Sequence, residues 1–179
     1  MSFDELDIDE NILRGVYAHG FEKPSQIQTL AIPKILEKKD LIAQAQSGTG
    51  KTGAFAIGSL CRIDPKKSET QLLILVPTRE LADQVYLVIK DISSYTEITS
   101  LKVIGGTNVS MCREDLYKRP HIVIGTPGRV LDMIQRRYLF TENIENIVLD
   151  EADEMLSFGF KDSIHDIIQR MPKTSQICL

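Results

Sequence analysis

The sequence predicts an α/β fold, in which a mostly parallel central sheet carries helices on both faces. Short, continuously apolar runs alternate along the chain with segments of helical periodicity, which is typical of repeated strand–helix–strand units. Strands that are buried on both faces are apolar throughout, so these runs fit the strands of a parallel sheet. They are Leu41–Ala43, Leu72–Val76, Ile122–Ile124 and Ile147–Leu149.

The segments between the apolar runs have the spacing of amphipathic helices. Their apolar residues recur every three or four positions and therefore share one face of a helix. Two such sets are Leu81, Val85, Val88 and Ile92, and Ile164, Ile167, Ile168 and Met171. The 179 residues amount to about one domain, and Ile177–Leu179 would begin a further core strand.

The composition is that of an ordinary globular protein, with 42% hydrophobic and 26% charged residues. The net charge of −4 arises in the first ten residues, which hold five acidic residues and no basic one. The rest of the chain is nearly neutral, so any surface that binds nucleic acid must be local. Aromatic residues are only 6% of the chain, so we expect no platform for stacking bases. Lys118, Arg119, Arg136 and Arg137 could extend a local basic surface, but a solvated face is the better explanation for each.

Membrane, secreted and zinc-binding classes are disfavoured. No apolar run reaches the roughly 20 residues of a membrane-spanning helix, and the acidic start of the chain is unlike a signal peptide. The three cysteines, Cys61, Cys112 and Cys178, are odd in number and lack C-x-x-C spacing. We therefore expect an intracellular protein without membrane contact, in the cytoplasm or, as the alternative, in the nucleus.

A polar segment follows each apolar run. Ligands of parallel sheets bind at the carboxyl ends of the strands, so these segments are the first candidates for function. Packing alone does not explain why all four strand ends carry one. The segments are Gln44–Thr52, Pro77–Ala82, Gly125–Arg129 and Asp150–Asp153.

The segment Ala45–Thr52 has the pattern of a phosphate-binding loop followed by a helix. Gly48 and Gly50 allow backbone N–H groups to curl around phosphate oxygens, and the helix expected from Lys51 adds its positive end. The Lys51 ammonium would reach the β- and γ-phosphates, and the Thr52 hydroxyl would bind Mg²⁺. The general pattern begins with glycine, where this chain has alanine. The alternative is a glycine-rich turn with an exposed lysine.

Two adjacent carboxylates follow the last apolar run. Asp150, at the end of a buried strand, can hold hydrated Mg²⁺, partly through water. Glu151 can orient or deprotonate an attacking water molecule. Two neighbouring acids are usually solvated, but a phosphate-binding loop two strand–helix units upstream changes their interpretation. Together the two segments predict a nucleoside triphosphatase core.

These motifs resemble those of the DEAD-box RNA helicases, and the resemblance runs from Phe3 to Leu179 in the family's order. Asp150–Asp153 spells the Asp-Glu-Ala-Asp motif, and Ala45–Thr52 is similar to the family's phosphate loop, in which alanine comes first. The resemblance implies a RecA-like P-loop domain that uses ATP and Mg²⁺. It assigns catalysis to Lys51, Asp150 and Glu151, metal binding to Thr52 and Asp150, and coupling to Asp153.

The segment Gly20–Gln28 is similar to the family's adenine-recognition segment, with an isolated aromatic residue upstream. The resemblance therefore implies ATP contacts at Phe3, Phe21, Lys23, Gln28, Ala45, Gln46, Ser47, Gly48, Thr49, Gly50, Lys51 and Thr52. From the residues alone, Gln28 is better explained as part of a capping box with Ser25, in which it accepts a backbone N–H at the helix start. In the family this glutamine binds the adenine edge, for which a donor-plus-acceptor amide is suited.

Three further segments are similar to those with which the family holds the RNA sugar-phosphate backbone without reading bases. Two of them begin with a threonine that is expected to cap a helix, the second with proline in the first turn. Free N–H groups at a helix start suit phosphates, and the arginines add charge. The residues are Pro77, Thr78, Arg79, Glu80, Gly105, Gly106, Thr126, Pro127, Gly128 and Arg129.

The resemblance also implies a larger protein. In the family the chain continues through a Ser-Ala-Thr segment, to which Asp153 is linked, into a second RecA-like lobe with arginine fingers. We expect residues 1–28 to form an N-terminal flank and residues 29–179 the first lobe, cut before that segment. Losing an arginine finger costs roughly 10³–10⁵ in rate, so these residues should bind nucleotide with negligible turnover. Expected partners are RNA, the second lobe and a helical-repeat scaffold protein.

Within the family, Gly20–Ser25, Ala43–Gly53 and Asp150–Leu156 are most similar to the members that act in translation initiation. The resemblance therefore implies ATP-dependent remodelling or unwinding of short RNA duplexes in that process. One alternative is a helicase of mRNA export, surveillance or decay. Others are a P-loop enzyme that does not depend on Gln28, and a nucleotide-tuned RNA clamp or scaffold lobe without turnover.

Overall fold

The computed structural model describes residues 1–46 and 48–179. Within these residues a short 3-10 turn at Phe3–Glu5 precedes eight α-helices and five strands. In chain order they are α1 Glu10–His19, α2 Gln26–Leu36, α3 Lys51–Leu60, β1 Leu72–Leu75, α4 Arg79–Ile92, β2 Ser100–Val103, α5 Val109–Tyr117, β3 Ile122–Gly125, α6 Pro127–Gln135, β4 Asn146–Leu149, α7 Ala152–Ser157, α8 Lys161–Gln169 and β5 Gln176–Cys178.

The five strands form one parallel sheet in the order β2-β3-β1-β4-β5. In the centre of the sheet, Leu72 of β1 is opposite Ile122 of β3 and Asn146 of β4. A parallel neighbour requires a crossover connection, and helices supply those connections here. The predicted α/β fold with a parallel central sheet is confirmed.

The two faces of the sheet bury separate cores. Leu72 and Ile74 of β1 join the core formed with α1, α2, α3 and α4, whereas Leu73 and Leu75 join the core formed with α5, α6, α7 and α8. Successive side chains of a strand point to opposite faces, so a strand between two helical layers must be apolar throughout. This explains why β1 is buried along its whole length.

The predicted strand Leu41–Ala43 is wrong as a regular, doubly buried strand. The segment pairs with the outer edge of β5, where the Leu41 N–H donates to the Ile177 carbonyl and the Leu179 N–H donates to the Leu41 carbonyl, both at 2.9 Å. Ile42 between them is 74% exposed. Because the segment lies at the sheet edge, one of its faces is uncovered.

Strand β2 was not predicted from the sequence. It lies at the other edge of the sheet, beside β3, and only Val103 in it is fully buried. Lys102 within this strand extends to Asp83 of α4, with its ammonium 2.7 Å from the carboxylate. An edge strand with mixed polarity lacks the continuous apolar signal that identified the central strands.

The N-terminal residues pack on the same core as the strand–helix units. Phe3, Leu6, Ile12 and Val16 are buried among residues of α2, α3 and α4. Gly15 lies against α4 so closely that a Cβ atom there would be 1.8 Å from the Ile92 carbonyl oxygen. Residues 1–28 are therefore integral to this packing. Among the described residues, no helix is long and apolar enough to span a bilayer.

Candidate active site

The phosphate-loop segment leads directly into α3. Gly50 adopts a left-handed conformation with φ of 92° as the residue before the helix, and Gly48 has φ of 82°. Lys51 and Thr52 occupy the first turn of α3, where the backbone N–H groups have no partner within the helix. The predicted helix start is confirmed. Ser47, predicted to contact ATP, lies outside the described residues.

The loop is held against the start of α2. The Gln28 side chain donates from Nε2 to the Gly50 carbonyl at 3.1 Å. A Cβ atom at Gly50 would lie 2.7 Å from Gln28 Nε2 and 2.8 Å from Ser25 Oγ. Position 50 therefore requires glycine for two reasons, its positive φ and this close approach.

Gln28 also completes the capping box of α2. The Ser25 N–H donates to Gln28 Oε1 at 2.9 Å, and the Gln28 N–H donates to Ser25 Oγ at 3.4 Å. The predicted cap is confirmed, and the side chain is only 3% exposed. Because Nε2 carries two hydrogens, one remains for a ligand after the bond to Gly50. Adenine recognition by Gln28 stays a prediction.

A cavity of about 790 Å³ opens beside this glutamine. Most of the residues predicted to contact ATP line it: Phe21, Lys23, Gln28, Ala45, Gln46, Gly48, Thr49 and Gly50. A neighbouring cavity of about 590 Å³ shares Ala45 and Gln46 and is lined further by Lys51, Glu151 and Asp153. The structure thus places base-side and phosphate-side candidates along one continuous surface.

Phe3 does not line either cavity. It is fully buried beneath Phe21, with the two rings stacked at a centroid distance of 6.3 Å, and its edge packs on Tyr17. The prediction that Phe3 contacts ATP is therefore wrong for this arrangement. The residue supports Phe21, which does reach the cavity.

Thr52, in the first turn of α3, contacts Asp150, which directly follows the carboxyl end of β4. The Thr52 hydroxyl donates to Asp150 Oδ2 at 3.0 Å. Asp150 is 4% exposed, and its Oδ1 is buried without a hydrogen-bonding partner among the described residues. A buried anionic oxygen without a partner is costly unless a cation or a hydrogen-bond donor reaches it. The pair therefore fits the oxygen ligands that Mg²⁺ prefers.

Glu151 follows at the start of α7 in a left-handed backbone conformation, with φ of 57°. A residue with a side chain pays for that conformation, and such strain often occurs at functional sites. Burial raises the pKa of the Glu151 carboxyl, the Lys51 ammonium opposes the rise and the Asp150 carboxylate adds to it. A raised pKa suits a group that takes a proton near neutral pH.

The segments predicted to contact RNA come together at the same edge of the sheet. Arg79, in the first turn of α4, donates from Nη1 to the Gly105 carbonyl at 3.0 Å. Gly106 has φ of 81°, a left-handed conformation that favours glycine, and a Cβ atom there would lie 2.3 Å from that nitrogen and displace the end of the arginine side chain. Arg129 of α6 donates to the hydroxyl and the carbonyl oxygen of Thr107, at 3.0 and 3.1 Å.

Thr107 was missed by the sequence reasoning, although it directly follows the two predicted glycines. Its exposed position between the two arginines makes it part of this edge. Of the two expected threonine caps, Thr78 is confirmed, because its hydroxyl accepts the Leu81 N–H at 3.1 Å. Thr126 occupies the N-cap position of α6, but its side chain makes no capping hydrogen bond there.

The remaining predicted RNA contacts differ in accessibility. Glu80 and Gly128 are exposed on the first turns of α4 and α6, whereas Pro77 and Pro127 are buried and act by shaping the two turns. Asp153 is exposed in the first turn of α7. That any of these residues contacts RNA or couples two sites stays a prediction.

The fold and the site define a P-loop nucleotide-binding domain of the RecA-like class. Within that class, a sequence profile described as DEAD/DEAH box helicase matches residues 25–179. The chain belongs to the DEAD/DEAH box helicase family.

Known relatives agree with this assignment. The chain is 52% identical over 178 residues to the ATP-dependent RNA helicase eIF4A of Aspergillus fumigatus, and 51% identical to that of Neurospora crassa. These matches cover 99% of this chain but 44% and 45% of the relatives. The chain thus spans less than half the length of the curated relatives it matches.

Solved structures agree in fold. A DEAD box protein from Methanococcus jannaschii has a TM-score of 0.93 and 37% identity, covering 100% of this chain and 49% of that one. Dbp5 of S. cerevisiae, bound to RNA and ADP BeF3, has a TM-score of 0.91 and 37% identity, covering 99% of this chain and 45% of that one.

Proposed function

We propose that this chain is the ATP- and RNA-binding lobe of an ATP-dependent RNA helicase that remodels short RNA duplexes in translation initiation. The observation that carries the proposal is the contact between Thr52 and Asp150, with a buried, unpartnered carboxylate oxygen beside a helix N-terminus. That arrangement is built for a metal–triphosphate, because it places carboxylate, hydroxyl and free N–H groups together. ATP is the expected nucleotide, with Mg²⁺ as the metal.

Each residue of the site has a distinct role in the proposal. The first turn of α3 and the Lys51 ammonium hold the phosphates. Thr52 and Asp150 hold Mg²⁺, partly through water, and the bound metal supplies charge neutralisation at the phosphate oxygens. Glu151 orients a water molecule and takes its proton, for which its raised pKa is suited.

RNA binds, in this proposal, across the edge that contains Arg79 and Arg129. Both guanidinium groups are oriented by backbone carbonyls of the loop that contains Gly105 and Thr107. Ordered guanidinium groups beside two helix N-termini favour phosphates and carry no base pattern. The S. cerevisiae relative bound to RNA supports this use of the shared fold.

Translation initiation is favoured over other RNA processes by the degree of similarity. Identity is 52% to a curated eIF4A but 37% to Dbp5. We accordingly propose a cytoplasmic location and a helical-repeat scaffold as a protein partner. A second RecA-like lobe, which we place elsewhere in the complete protein, would close over both ATP and RNA.

Residues 1–179 alone should bind nucleotide without appreciable turnover. Among the residues that the structure describes, no arginine lines either cavity of the site, and the proposed second lobe would supply that charge. An arginine finger contributes roughly 10³–10⁵ in rate. The test is ATP hydrolysis by residues 1–179 with and without RNA. RNA-stimulated turnover near the ~1–100 s⁻¹ of complete phosphoryl-transfer enzymes would contradict this part of the proposal.

The first experiment is a titration of residues 1–179 with ATP, ADP and GTP in the presence of Mg²⁺. Wild type, Gln28→Ala and the control Gln84→Ala, an exposed glutamine of α4, are compared. If Gln28 reads the base, its substitution removes the preference for ATP over GTP. If Gln28 only supports the loop through Gly50, both affinities fall equally. Wild-type binding that ignores the base would leave only a general P-loop function.

A further inference from the structure

Three aromatic side chains gather where α5 and α6 end. Tyr117, the last residue of α5, is stacked on Phe140 at a centroid distance of 6.4 Å and 17° between the ring planes. Its ring also meets Tyr138 edge to face at 6.0 Å. Tyr117 is 52% exposed, so one face of this cluster remains open to solvent.

Arginines surround the cluster. The Arg119 guanidinium lies over the Phe140 ring at 4.9 Å, and that of Arg113 lies over the Tyr138 ring at 5.7 Å. Phe140 also lines a cleft of about 610 Å³ together with Arg137 and Arg170. These three rings and four arginines form the aromatic–arginine surface.

The charges of this surface are available to a ligand. In the part of the chain that the structure describes, none of its four arginines has a carboxylate within 4 Å, whereas the neighbours Lys118 and Arg136 are paired with Asp115 and Asp132. Glu142 is the acidic residue that lines the cleft. A guanidinium that rests on a ring is already oriented, so it loses little freedom when it binds a phosphate.

The aromatic–arginine surface is separate from the candidate active site. It lies where α5 ends before β3 and where the chain after α6 approaches β4, which is the amino edge of the parallel sheet. The edge with Arg129 is at the opposite ends of the same helices. A nine-residue helix is about 13 Å long, so the two surfaces lie on one face of the protein at that separation.

We propose that the aromatic–arginine surface is a second site for single-stranded RNA, which holds the strand beyond the part bound at the Arg79–Arg129 edge. This inference rests on the proposed function. Exposed ring faces combined with oriented arginines are the elements that proteins use to bind single strands without sequence preference. An acidic polypeptide would need the charges but not the open face of Tyr117, so the combination favours RNA.

The test compares two oligouridylates, of about 3 and about 20 nucleotides, because at roughly 3.4 Å of rise per nucleotide only the longer one spans both surfaces. Residues 1–179 are used as wild type, as the double variant Arg113→Gln and Arg119→Gln, and as Arg129→Gln. Arg14→Gln is the matched control, because its guanidinium also lies over a tyrosine ring, that of Tyr95, at 4.5 Å on the opposite helical layer. Thermal unfolding verifies that each variant folds.

The double variant should bind the longer RNA roughly tenfold more weakly at about 0.1 M salt, and its log–log salt slope should fall by about 1.4. Its affinity for the short RNA should not change. Arg129→Gln should weaken the binding of both RNAs, and Arg14→Gln should change the affinity for neither. A direct readout is a photo-crosslink from the longer RNA to the Tyr117 peptide, lost in Tyr117→Ala.

Other outcomes overturn the inference. Unchanged affinity and salt slope for the longer RNA would exclude the second site while leaving the first intact. If the double variant loses only poly-glutamate binding, the surface recognises an acidic polypeptide instead. If wild type binds neither RNA, the RNA part of the proposed function fails as well. If Arg129→Gln alone has no effect on RNA affinity, only the assignment of RNA to the Arg79–Arg129 edge fails.

Discussion

The two carboxylate oxygens of Asp150 have different surroundings. Oδ2 accepts the Thr52 hydroxyl, whereas Oδ1 is buried without a partner among the described residues. Removing a charged oxygen from water without compensation lowers the stability of the fold. Asp150 is therefore a residue whose placement favours cation binding at the expense of stability.

Replacing Asp150 with Asn should reveal this conflict. Asp150→Asn removes the buried charge, and we expect the free energy of unfolding without Mg²⁺ to rise by about 1 kcal/mol. The Mg²⁺-dependent part of nucleotide affinity should be lost. Urea unfolding and nucleotide titration measure the two effects. Asp153→Asn, an exposed carboxylate of α7, is the control and should change stability by less than about 0.5 kcal/mol. A less stable Asp150→Asn would disprove the explanation.

Glu151 should make stability depend on pH in the opposite sense to an ion-paired carboxylate. Burial raises its pKa above the ordinary value of 4.5, so the folded protein holds this proton more tightly than the unfolded chain does. The stabilisation is present below the ordinary pKa and is lost as pH rises through the raised one. Glu151→Gln should therefore be more stable than wild type near neutral pH, with the difference vanishing in acid.

The same variant should lose catalysis. In a protein that contains both lobes, Glu151→Gln should lower RNA-stimulated ATP turnover by about 10²–10⁴-fold, because the group that takes the proton is gone. Glu97→Gln, an exposed glutamate before β2 that does not contribute to the Glu151 pKa, should affect neither property. Urea unfolding across pH and a turnover assay provide the measurements. Equal stability of Glu151→Gln and wild type at every pH would contradict the pKa argument.

Single residues differ in how far the sequence could predict them. The grouping of Lys51, Thr52 and Asp150 at one site could be predicted, because the carboxyl ends of parallel strands share one edge of the sheet. The direct contact between Thr52 and Asp150 was not, since it joins positions 98 apart and depends on how α3 sits on β4. Phe3 was misassigned because an aromatic residue beside a binding segment has the same sequence signal whether it supports the pocket or lines it.

The starts of two helices support different parts of the candidate site. Ser25 caps α2, which holds the phosphate loop, and Thr78 caps α4, which carries Arg79. Both hydroxyls accept a backbone N–H three residues on, at 3.4 and 3.1 Å. Loss of either cap should therefore lower stability by a similar amount, but one loss should affect ATP binding and the other RNA binding.

Ser25→Ala and Thr78→Ala should each lower the free energy of unfolding by about 1 kcal/mol, the usual cost of a lost cap. Ser25→Ala should weaken ATP binding but leave the affinity for short RNA unchanged. Thr78→Ala should weaken RNA binding but leave the affinity for ATP unchanged. Nucleotide and RNA titrations of both variants test this. If either variant weakens both ligands equally, the two helix starts do not act as separate binding elements.

The crossing of α1 and α4 depends on one glycine. A methyl group at Gly15 would overlap the Ile92 carbonyl, so Gly15→Ala must push α1 away from the core that contains Val16. We expect a loss of more than about 3 kcal/mol in urea unfolding. Gly128→Ala, in the first turn of α6 where a Cβ would meet nothing within 4 Å, should be neutral or stabilising by up to about 1 kcal/mol. Similar losses in both variants would exclude the crossing as the cause.

At the scale of the whole molecule, the parallel sheet explains most of what the sequence could predict. Continuous apolar runs identified β1, β3 and β4, and the sheet then gathered the segments after them at one edge. The edges of the sheet were predicted less well. Leu41–Ala43 has the apolar pattern of a doubly buried strand but lies at an edge with one face uncovered, and β2 has a mixed polarity that gives no strand signal. The aromatic–arginine surface escaped as well, since its residues come from α5 and from the segments that follow α5, α6 and α8, and the aromatic content of the chain is low.

The nucleotide should stabilise the whole molecule, because its site joins residues of α2, α3 and β4 that come together only in the folded chain. Binding to the folded state alone adds about 2.7 kcal/mol to the free energy of unfolding at a ligand concentration 100 times Kd. We expect a rise of this size with ATP and Mg²⁺ and a much smaller one with ATP and EDTA, since Asp150 Oδ1 then has no cation. Urea unfolding in the four combinations of ATP and Mg²⁺ is the measurement. Asp150→Asn should respond to ATP equally with and without Mg²⁺, and a retained metal effect in that variant would place the metal elsewhere.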